Sequence, residues 1–452
     1  MGGSAFSSVP DPPYTPRMPP VVYQRAVSEC SAALRKLFVC VATPIEGPEK
    51  KDHGDVDILV ALDRRLVFPQ TPDDSIPREP KDLMKDVEHN LCAQYSIIHP
   101  PGTGTSAHLA IPWPSDMDEH TITPEETPGA GGTAGTLYES KPKYIQVDIR
   151  ICQSVDELYW SLYKHAHGDI WNLLGSTIRP FGLTVDEKAL WLRIPEIEEF
   201  DRKQSRVCLT EDPVEILHFL GMRVEGFWDK PFGSVDALFD YATTCRLFYV
   251  RDTPDGDAGG DADEAGVIGG EAGRRKLKSN DRRRMKGRPI YRRWINEFIP
   301  GLRAEGKFVR ENSGTSIEEM RALVRDQAFD RFLVEVEYTR RLREWQQKRN
   351  GEQMKSLIKE LVPSTMEPQR RACVVGTLKK IIVENDTSFG FDSFGLRGPD
   401  GLFDAGLVRS FIQDNLIEVG EIGWARQQQR AQESMRLKAA SRDTGKGMEE
   451  SR

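Results

Sequence analysis

The 452-residue sequence predicts an α/β protein of the α+β kind, with a small mixed-sheet core, flanking helices and a mainly helical C-terminal region. Two observations predict this class. In the first half of the chain, short apolar runs typical of buried strands are interspersed with patterns of helical spacing. After about residue 280 the spacing of apolar residues is helical only. The main strand-like runs are FVCVA (38–42), DVDILVAL (55–62), HLAIPW (108–113) and KYIQVDIRIC (143–152).

The elements between these strands are predicted from spacing and caps. Residues 23–37 carry apolar side chains at helical intervals, and residues 81–93 also favour a helix. Ser154, with Glu157 three residues later, forms a capping box that predicts the start of another helix. Residues 181–194 are typical of two short strands around a turn.

Length and composition predict several segments. At roughly 150 residues per domain, a chain of this length suggests two or three domains. An acidic stretch without Lys or Arg (252–273) is followed by a strongly basic one (274–293). The predicted segments are a disordered tail (1–20), a core (21–200) with a flexible insertion (115–140), a helical extension packing on the core (201–251), a disordered acidic-to-basic linker (252–280) and a helical C-terminal region with a frayed end (281–452).

Cysteine usage and hydropathy exclude several classes. The seven cysteines are far apart and form no Cys-x-x-Cys pair. This pattern predicts reduced thiols in an intracellular protein, cytoplasmic or nuclear, with neither a disulfide framework nor a zinc site. No apolar run approaches the ~20 residues that cross a bilayer, so no membrane partner is expected.

Three carboxylates are candidates for a metal site. Asp55 and Asp57 lie two residues apart at the front of an apolar strand, so both side chains project from one face. Two adjacent carboxylates repel each other unless a cation lies between them. Asp148 is also placed inside an apolar strand, where an unpartnered charge is costly. If the two strands are neighbours, the three oxygen donors suit Mg²⁺ or Mn²⁺.

The loop between the first two strands is a candidate phosphate site. It follows Ala42 and begins at Thr43, whose hydroxyl and neighbouring backbone amides could contact phosphate oxygens. Lys51 and His53, together with Lys50, add positive charge close to the paired acids. We therefore predict that Ala42, Thr43, Lys51 and His53 contact a nucleotide.

These motifs together resemble the nucleotidyltransferases of the DNA polymerase β type. In that family a pair of small residues follows a strand, then a short spacer, an acid–apolar–acid–apolar strand and a distant third acid. Here the pair is Ala42-Thr43, the paired acids lie in Asp55-Val56-Asp57-Ile58, and the third acid falls on Asp148. The stretch 37–250 is similar to uncharacterised nucleotidyltransferase-like proteins of fungal type.

The resemblance implies a fold, a reaction and roles. Asp55 and Asp57 would bind two metal ions, and Asp148 would complete one metal site and help to deprotonate the attacking hydroxyl. The implied reaction moves a nucleoside monophosphate from a nucleoside triphosphate to an acceptor hydroxyl. This sequence departs from the family at the small pair, where Ala42-Thr43 replaces a pair that contains glycine. The Cβ of Ala42 narrows the space beside the phosphates.

Other functions remain open at this stage. A catalytically degenerate fold could bind nucleic acid or a protein partner through the C-terminal half. The Asp-x-Asp of nucleotide-sugar glycosyltransferases is disfavoured, because there the acids end the apolar strand, whereas here the apolar run follows them. The acceptor, the preferred base and the oligomeric state are not specified.

The basic run has two interpretations. Clustered Lys and Arg could contact RNA or another nucleic acid, or they could be a solvated flank or a nuclear-import signal. A second His-Gly-Asp, at 167–169, is interpreted as a helix end followed by a turn. The candidate nucleic-acid contacts are Arg282, Arg283, Arg284, Lys286 and Arg288.

Overall fold

The structure is a computed structural model. It describes residues 3–99, 105–120, 142–251, 284–310 and 316–449. The described residues form two compact units. The first contains the residues up to Glu198 and those from Arg202 to Val334; the second contains Glu199–Asp201 and the residues from Glu335 onward. Residues 284–334 therefore belong to the first unit, whereas the sequence placed them in a separate C-terminal region.

A five-stranded mixed sheet organises the first unit. Its strand order is β1-β2-β5-β4-β3, with β2 and β5 parallel and the other pairs antiparallel. The strands are β1 (Phe38–Ala42), β2 (Val56–Asp63), β3 (Tyr95–His99), β4 (Ser106–Pro112) and β5 (Tyr144–Cys152). The predicted fold class is confirmed, and β3 is a strand that the apolar pattern did not indicate because its residues are only partly buried.

The two faces of this sheet differ in composition. One face carries Val56, Ile58 and Val60 of β2 and is buried, with Val147 and Ile149 of β5, in the main apolar cluster. Helices α1 (Pro20–Leu34) and α3 (Pro80–Asn90) supply side chains to the same cluster. Among the described residues, the opposite face has a small apolar cluster, in which Leu59 and Ala61 pack near Leu158 of α4 (Val155–His165). Alternation along β2 and β5 therefore leaves part of this second face for polar side chains.

The first described residues are ordered on the sheet, in contrast to the predicted disordered tail over 1–20. Residues Ala5–Ser8 form a 3₁₀ helix, and Phe6 is buried. Met18 is fully buried and pairs with His53 through two backbone hydrogen bonds of 2.7 and 2.9 Å. The apolar contacts of Phe6 and Met18 provide the burial that orders a segment otherwise rich in proline and serine.

The rest of the first unit is mixed. A three-stranded antiparallel sheet consists of β6 (Leu183–Val185), β7 (Leu190–Arg193) and β8 (Arg206–Thr210), and β9 (Val250–Arg251) pairs with β10 (Val309–Arg310). The region predicted as a helical extension, 201–251, therefore also contains strands. The helices are α2 (Arg64–Val67), α4 (Val155–His165), α5 (Ile170–Ile178), α6 (Pro195–Glu198), α7 (Pro213–Phe219), α8 (Val235–Thr243), α9 (Pro289–Arg293), a π-helical turn (Trp294–Phe298), α10 (Ile299–Ala304) and α11 (Ile317–Phe332).

The second unit is helical, as the sequence predicts. Its helices are α12 (Glu335–Leu361), α13 (Pro368–Ile382) and α14 (Ala405–Glu449). Their apolar sides form one cluster that includes Ile358, Leu378 and Ile412. Among the helices that the structure describes, none combines the length and apolar character needed to cross a membrane. The predicted linker (252–280) and most of the predicted insertion (115–140) lie outside the described residues.

Candidate active site

The three predicted carboxylates lie on neighbouring parallel strands. Asp57 of β2 and Asp148 of β5 are directly paired in the register, and Asp55 immediately precedes β2. Asp57 and Asp148 share the face that carries Leu59 and Ala61, opposite the main apolar cluster. The structure therefore brings together residues that are about ninety positions apart in the sequence.

The electrostatics of the site reflect this crowding. Burial among protein atoms, followed by the charges of Asp55 and Asp148, raises the pKa of Asp57 to about 7. Its side chain nevertheless contacts solvent, because it faces an open cleft with protein atoms on its other sides. Burial and the charge of Asp148 also raise the pKa of Asp55, and a hydrogen bond from the Gly3 backbone acts in the opposite direction. A divalent cation would relieve this repulsion.

Asp148 has two further partners that sequence reasoning did not identify. His108 Nδ1 lies 2.7 Å from Asp148 Oδ1, and Gln146 Nε2 donates to the same oxygen at 2.8 Å. The hydrogen bond to Asp148 raises the pKa of His108. Gln146 could have been found from its position two residues before Asp148 on one strand face. His108 could not, because its pairing with Asp148 depends on the β4–β5 register.

The donor set fits a metal ion in chemistry but not yet in arrangement. Three carboxylates on one sheet face offer the oxygen ligands that Mg²⁺ and Mn²⁺ prefer. Across the part of the chain that the structure describes, however, no group of three or more His, Cys, Asp or Glu side chains is already arranged around one metal position. Binding a metal here would require side-chain rotations at Asp55, Asp57 and Asp148.

A cleft of about 560 Å³ opens beside Asp55 and Asp57. Its walls come from the loop between β1 and β2, from α4 and α5, and from β6. The volume lies within the range of small-molecule sites. The cationic side chains that line it are Arg17, Lys50, Lys164, Arg179, Arg284 and Arg288, and the carboxylates are Glu46, Asp52, Asp55, Asp57 and Glu187.

Lys164 and Trp171 form part of the wall opposite the carboxylates. The Lys164 ammonium lies 5.3 Å from the Trp171 ring centroid and donates to the Val185 carbonyl at 3.2 Å. Burial lowers the pKa of Lys164. A cation held this way beside an aromatic ring is suited to a ligand that combines phosphate with a planar group.

The second His-Gly-Asp motif fixes the relative position of the two walls. His167 is fully buried, with a positive φ of 56°, and Nε2 lies 2.7 Å from the Phe227 carbonyl. Its backbone amide donates to the Ile45 carbonyl in the β1–β2 loop. Gly168 packs against Gly47, and a Cβ at Gly168 would meet the Gly47 Cα at 3.4 Å. The motif is a turn between α4 and α5, as the sequence analysis interpreted it, and it also positions the cleft.

The predicted nucleotide contacts are only partly placed at the cleft. Pro44 is the first residue of the β1–β2 loop to line it, so Ala42 and Thr43 lie just behind the wall. Ala42 instead packs near Leu59 and Ala61 in the small apolar cluster. Lys51 is exposed and does not line the cleft, whereas its neighbour Lys50 does.

His53 lines the cleft and is held rigidly. Its ring stacks on Tyr23 with centroids 3.7 Å apart and planes 8° apart. Within the described residues, its buried Nδ1 has no hydrogen-bond partner, and Glu46 Oε2 lies 3.9 Å away. The Tyr23 hydroxyl donates to Glu46, so this acid, which sequence reasoning missed, belongs to the same group.

The basic run contributes directly to the cleft. Arg284 and Arg288 line it, and Arg288 is ion-paired with Asp169 at the start of α5. Lys286 is exposed and does not line the cleft. Arg282 and Arg283 lie outside the described residues.

Comparison with known proteins does not assign this chain. No protein-family model matches it, and no curated protein matches it.

Proposed function

We propose that the protein is a metal-dependent nucleotidyltransferase that moves a nucleoside monophosphate from a nucleoside triphosphate to an acceptor hydroxyl. The observation that carries the proposal is the in-register pairing of Asp57 with Asp148, with Asp55 adjacent, on a sheet face beside a cleft lined by six cationic side chains and five carboxylates. Structural carboxylates are normally paired with cations, and carboxylates that raise each other's pKa are typical of functional sites.

The proposed chemistry assigns a role to each carboxylate. Asp55, Asp57 and Asp148 would hold Mg²⁺ or Mn²⁺, which neutralises charge on the triphosphate and on the attacking oxygen. Asp148, which contacts His108, would accept the proton of the acceptor hydroxyl. The bond from the acceptor oxygen to the α-phosphorus forms as the bond to pyrophosphate breaks.

The cleft supports nucleoside triphosphate as the donor. Four cationic side chains that line the cleft are suited to phosphate oxygens: Lys50, Lys164, Arg284 and Arg288. Lys50 is ion-paired with Glu46 and Arg288 with Asp169, so phosphate would compete with these carboxylates. Trp171 offers an aromatic surface next to Lys164. RNA is a candidate acceptor, because an RNA end combines a hydroxyl with a polyanion that the basic run would attract.

A second candidate is a non-catalytic module that binds a nucleotide or nucleic acid. Two observations favour it: the carboxylates are not prearranged around a metal position in the described residues, and one Asp148 oxygen is already bonded to His108 and Gln146. In that case the cationic cleft would bind its ligand without a metal ion.

The proposed location is the cytoplasm or the nucleus. The seven cysteines all lie among the described residues and form no disulfide, and Cys30, Cys152 and Cys245 are buried. Burial raises the pKa of Cys30 to about 12 and that of Cys245 to about 11, so both are inert thiols suited to a reducing compartment.

The proposal is tested with purified protein, each labelled nucleoside triphosphate, Mg²⁺ or Mn²⁺, and an RNA oligonucleotide as acceptor. We expect label transfer that Asp55→Asn and Asp148→Asn abolish. Asp82→Asn, at an exposed carboxylate on α3, is the matched control and should leave transfer unchanged. Nucleotide binding that neither needs metal nor depends on Asp55 would instead support the non-catalytic module.

A further inference from the structure

Residues 3–18, the first sixteen that the structure describes, pack on the core in two parts. One part is held by more contacts than the other. Residues 13–18 are firmly held, since Pro13, Pro16 and Met18 are buried and Met18 pairs with His53 in both directions. The Tyr144 amide also donates to the Tyr14 carbonyl at 2.9 Å. This part is a fixed element of the first unit.

Residues 3–9, which we name the N-terminal segment, are held more weakly. Phe6 is their only fully buried side chain, and Ser7 and Ser8 are exposed. Residues 10–12, a Pro-Asp-Pro stretch, are exposed and connect the segment to the fixed part. The Thr15 hydroxyl of the fixed part also donates to the Gly3 carbonyl at 3.1 Å, and this hydrogen bond breaks if the segment leaves. With a single buried side chain, the segment is expected to open locally more readily than residues 13–18.

The N-terminal segment contacts both sides of the carboxylate site. Gly3 lies against Gly54, the residue before Asp55, so closely that a Cβ at Gly3 would meet the Gly54 carbonyl oxygen at 2.5 Å, and the Gly3 backbone lowers the pKa of Asp55. The Ala5 amide donates to Gln146 Oε1 at 3.1 Å. The other end of the buried Gln146 amide donates to Asp148.

These contacts place the Gly3 backbone beside Asp55 and a hydrogen-bond donor on Asp148, where a metal ion would otherwise supply positive charge. A lone pair that accepts from an N–H group cannot at the same time coordinate a cation. The Gly3 backbone and the Gln146 amide thus partly compensate the negative charge of a site without metal, and Gln146 keeps Asp148 in its present arrangement. This accounts for carboxylates that are adjacent yet not arranged around one metal position.

We propose that the N-terminal segment is an intramolecular inhibitor of the carboxylate site: it packs on Gly54 beside Asp55 and fixes Asp148 through Gln146, and it must move away before divalent cations and an acceptor bind. This inference rests on the proposed function and adds its regulation. Gln146 is the positioning residue that connects the segment to Asp148. A factor that removes the segment from the core would activate the site.

The test compares two glycine substitutions in the full chain. Gly3 and Gly226 both have a φ of +83°, but an added Cβ meets Gly54 at the first position and nothing within 4 Å at the second. Gly3→Ala and Gly226→Ala therefore share the same backbone strain, and only Gly3→Ala displaces the segment. Phe6→Ala, which removes the buried anchor, is a second and independent way to release it.

Mn²⁺ affinity, measured by electron paramagnetic resonance, is the primary readout. We expect Gly3→Ala and Phe6→Ala to bind Mn²⁺ about tenfold more tightly than the unmodified chain, as follows if roughly nine molecules in ten are closed. Gly226→Ala should match the unmodified chain. Equal affinity in all four proteins, or weaker binding after release, would overturn the inference and would assign the segment a purely structural role.

Hydrogen exchange provides an independent readout. Mn²⁺ with a non-hydrolysable nucleoside triphosphate should accelerate exchange in residues 3–9 and leave residues 13–18 protected. Unchanged protection of residues 3–9 in the Mn²⁺-loaded protein would contradict displacement. If none of the four proteins binds Mn²⁺, the proposed function fails and the inference with it; if all bind Mn²⁺ equally, only the inference fails.

Discussion

Asp57 and Asp63 lie at opposite ends of strand β2 on the same face of the sheet, and their surroundings differ. Asp63 accepts from Arg78 at 2.9 Å and, as the N-cap of α2, from the backbone amide of Arg65. Asp57 lies at the end of β2 next to the cleft, close to the carboxylates of Asp55 and Asp148. Within the described residues, no cationic side chain lies within salt-bridge distance of Asp57. One carboxylate stabilises the fold, whereas the other is unfavourable for the fold unless a ligand compensates it.

This difference separates a structural charge from a functional one on a single strand. Both aspartates occupy a strand with buried apolar neighbours, and sequence patterning alone treats them alike. What distinguishes them is whether the tertiary structure supplies a cation. The following predictions test that distinction.

The largest expected effect is on catalysis. Asp57→Asn should reduce nucleotidyl transfer on the order of a thousandfold or more, because it removes a ligand on which the charge compensation depends. Asp63→Asn should retain transfer at equal folded concentration, since Asp63 lies at the far end of the strand. Initial rates of label transfer, corrected for the folded fraction by circular dichroism, measure both. Comparable losses of transfer rate in Asp57→Asn and Asp63→Asn would contradict the distinction between a functional and a structural carboxylate.

The next effect is on stability. Arg78→Met removes the ion-pair partner of Asp63, and the Asp63 side chain is only 9% exposed. We expect a loss of about 2–3 kcal/mol in the free energy of unfolding, less than for a fully buried pair because Arg78 remains partly in water. Urea unfolding measures the loss. Mn²⁺ affinity should not change, and a change there would mean that the two ends of β2 are coupled.

A smaller effect concerns ligand binding. Lys50 is the nearest cationic contribution to Asp55 and Asp57, and it lines the cleft, whereas Lys51 points elsewhere and is exposed. Lys50→Ala should weaken nucleoside triphosphate binding about tenfold through loss of one charge-assisted contact. Lys51→Ala is the matched control, and isothermal titration calorimetry should show nearly unchanged affinity. A larger loss of affinity for Lys51→Ala than for Lys50→Ala would instead support the nucleotide contact that the sequence predicts for Lys51.

The sequence predicted the relative placement of the three carboxylates better than the segment boundaries. Alternation in DVDILVAL and YIQVDIRIC was sufficient to place Asp57 and Asp148 on one sheet face, with Asp55 directly before β2, because the period of two is a local property. The partners His108 and Gln146, and the wall formed by Lys164 and Trp171, depend on strand register and helix packing between distant segments.

Residues 3–18 show the same limit from another side. Their proline- and serine-rich composition is typical of disorder, but burial of side chains such as Phe6 and Met18 reverses that expectation. Likewise, the choice of Lys50 over Lys51 depends on the path of a loop that no periodicity describes. Residues whose roles arise from tertiary contacts were therefore missed, whereas those set by local alternation were found.

The smallest expected effect is the pH dependence of stability. The pKa of Asp57 is about 7 in the folded protein and near its ordinary value of 3.8 when unfolded, so between those values the folded state binds more protons. Its contribution to stability is therefore present at low pH and is lost as the pH rises toward 7. Without metal, Asp57→Asn should become more stable than the unmodified chain across this window, by about 1 kcal/mol after screening by solvent at the exposed carboxylate.

Urea unfolding in chelator at about pH 4.5 and pH 8 measures the difference. Asp82→Asn should show no such gain, because the hydrogen bond from Lys85 lowers the pKa of Asp82 and reverses the sign. A stability gain at Asp57 that is equal at both pH values would indicate better packing of the amide, and the contrast between the two ends of β2 would then not be electrostatic.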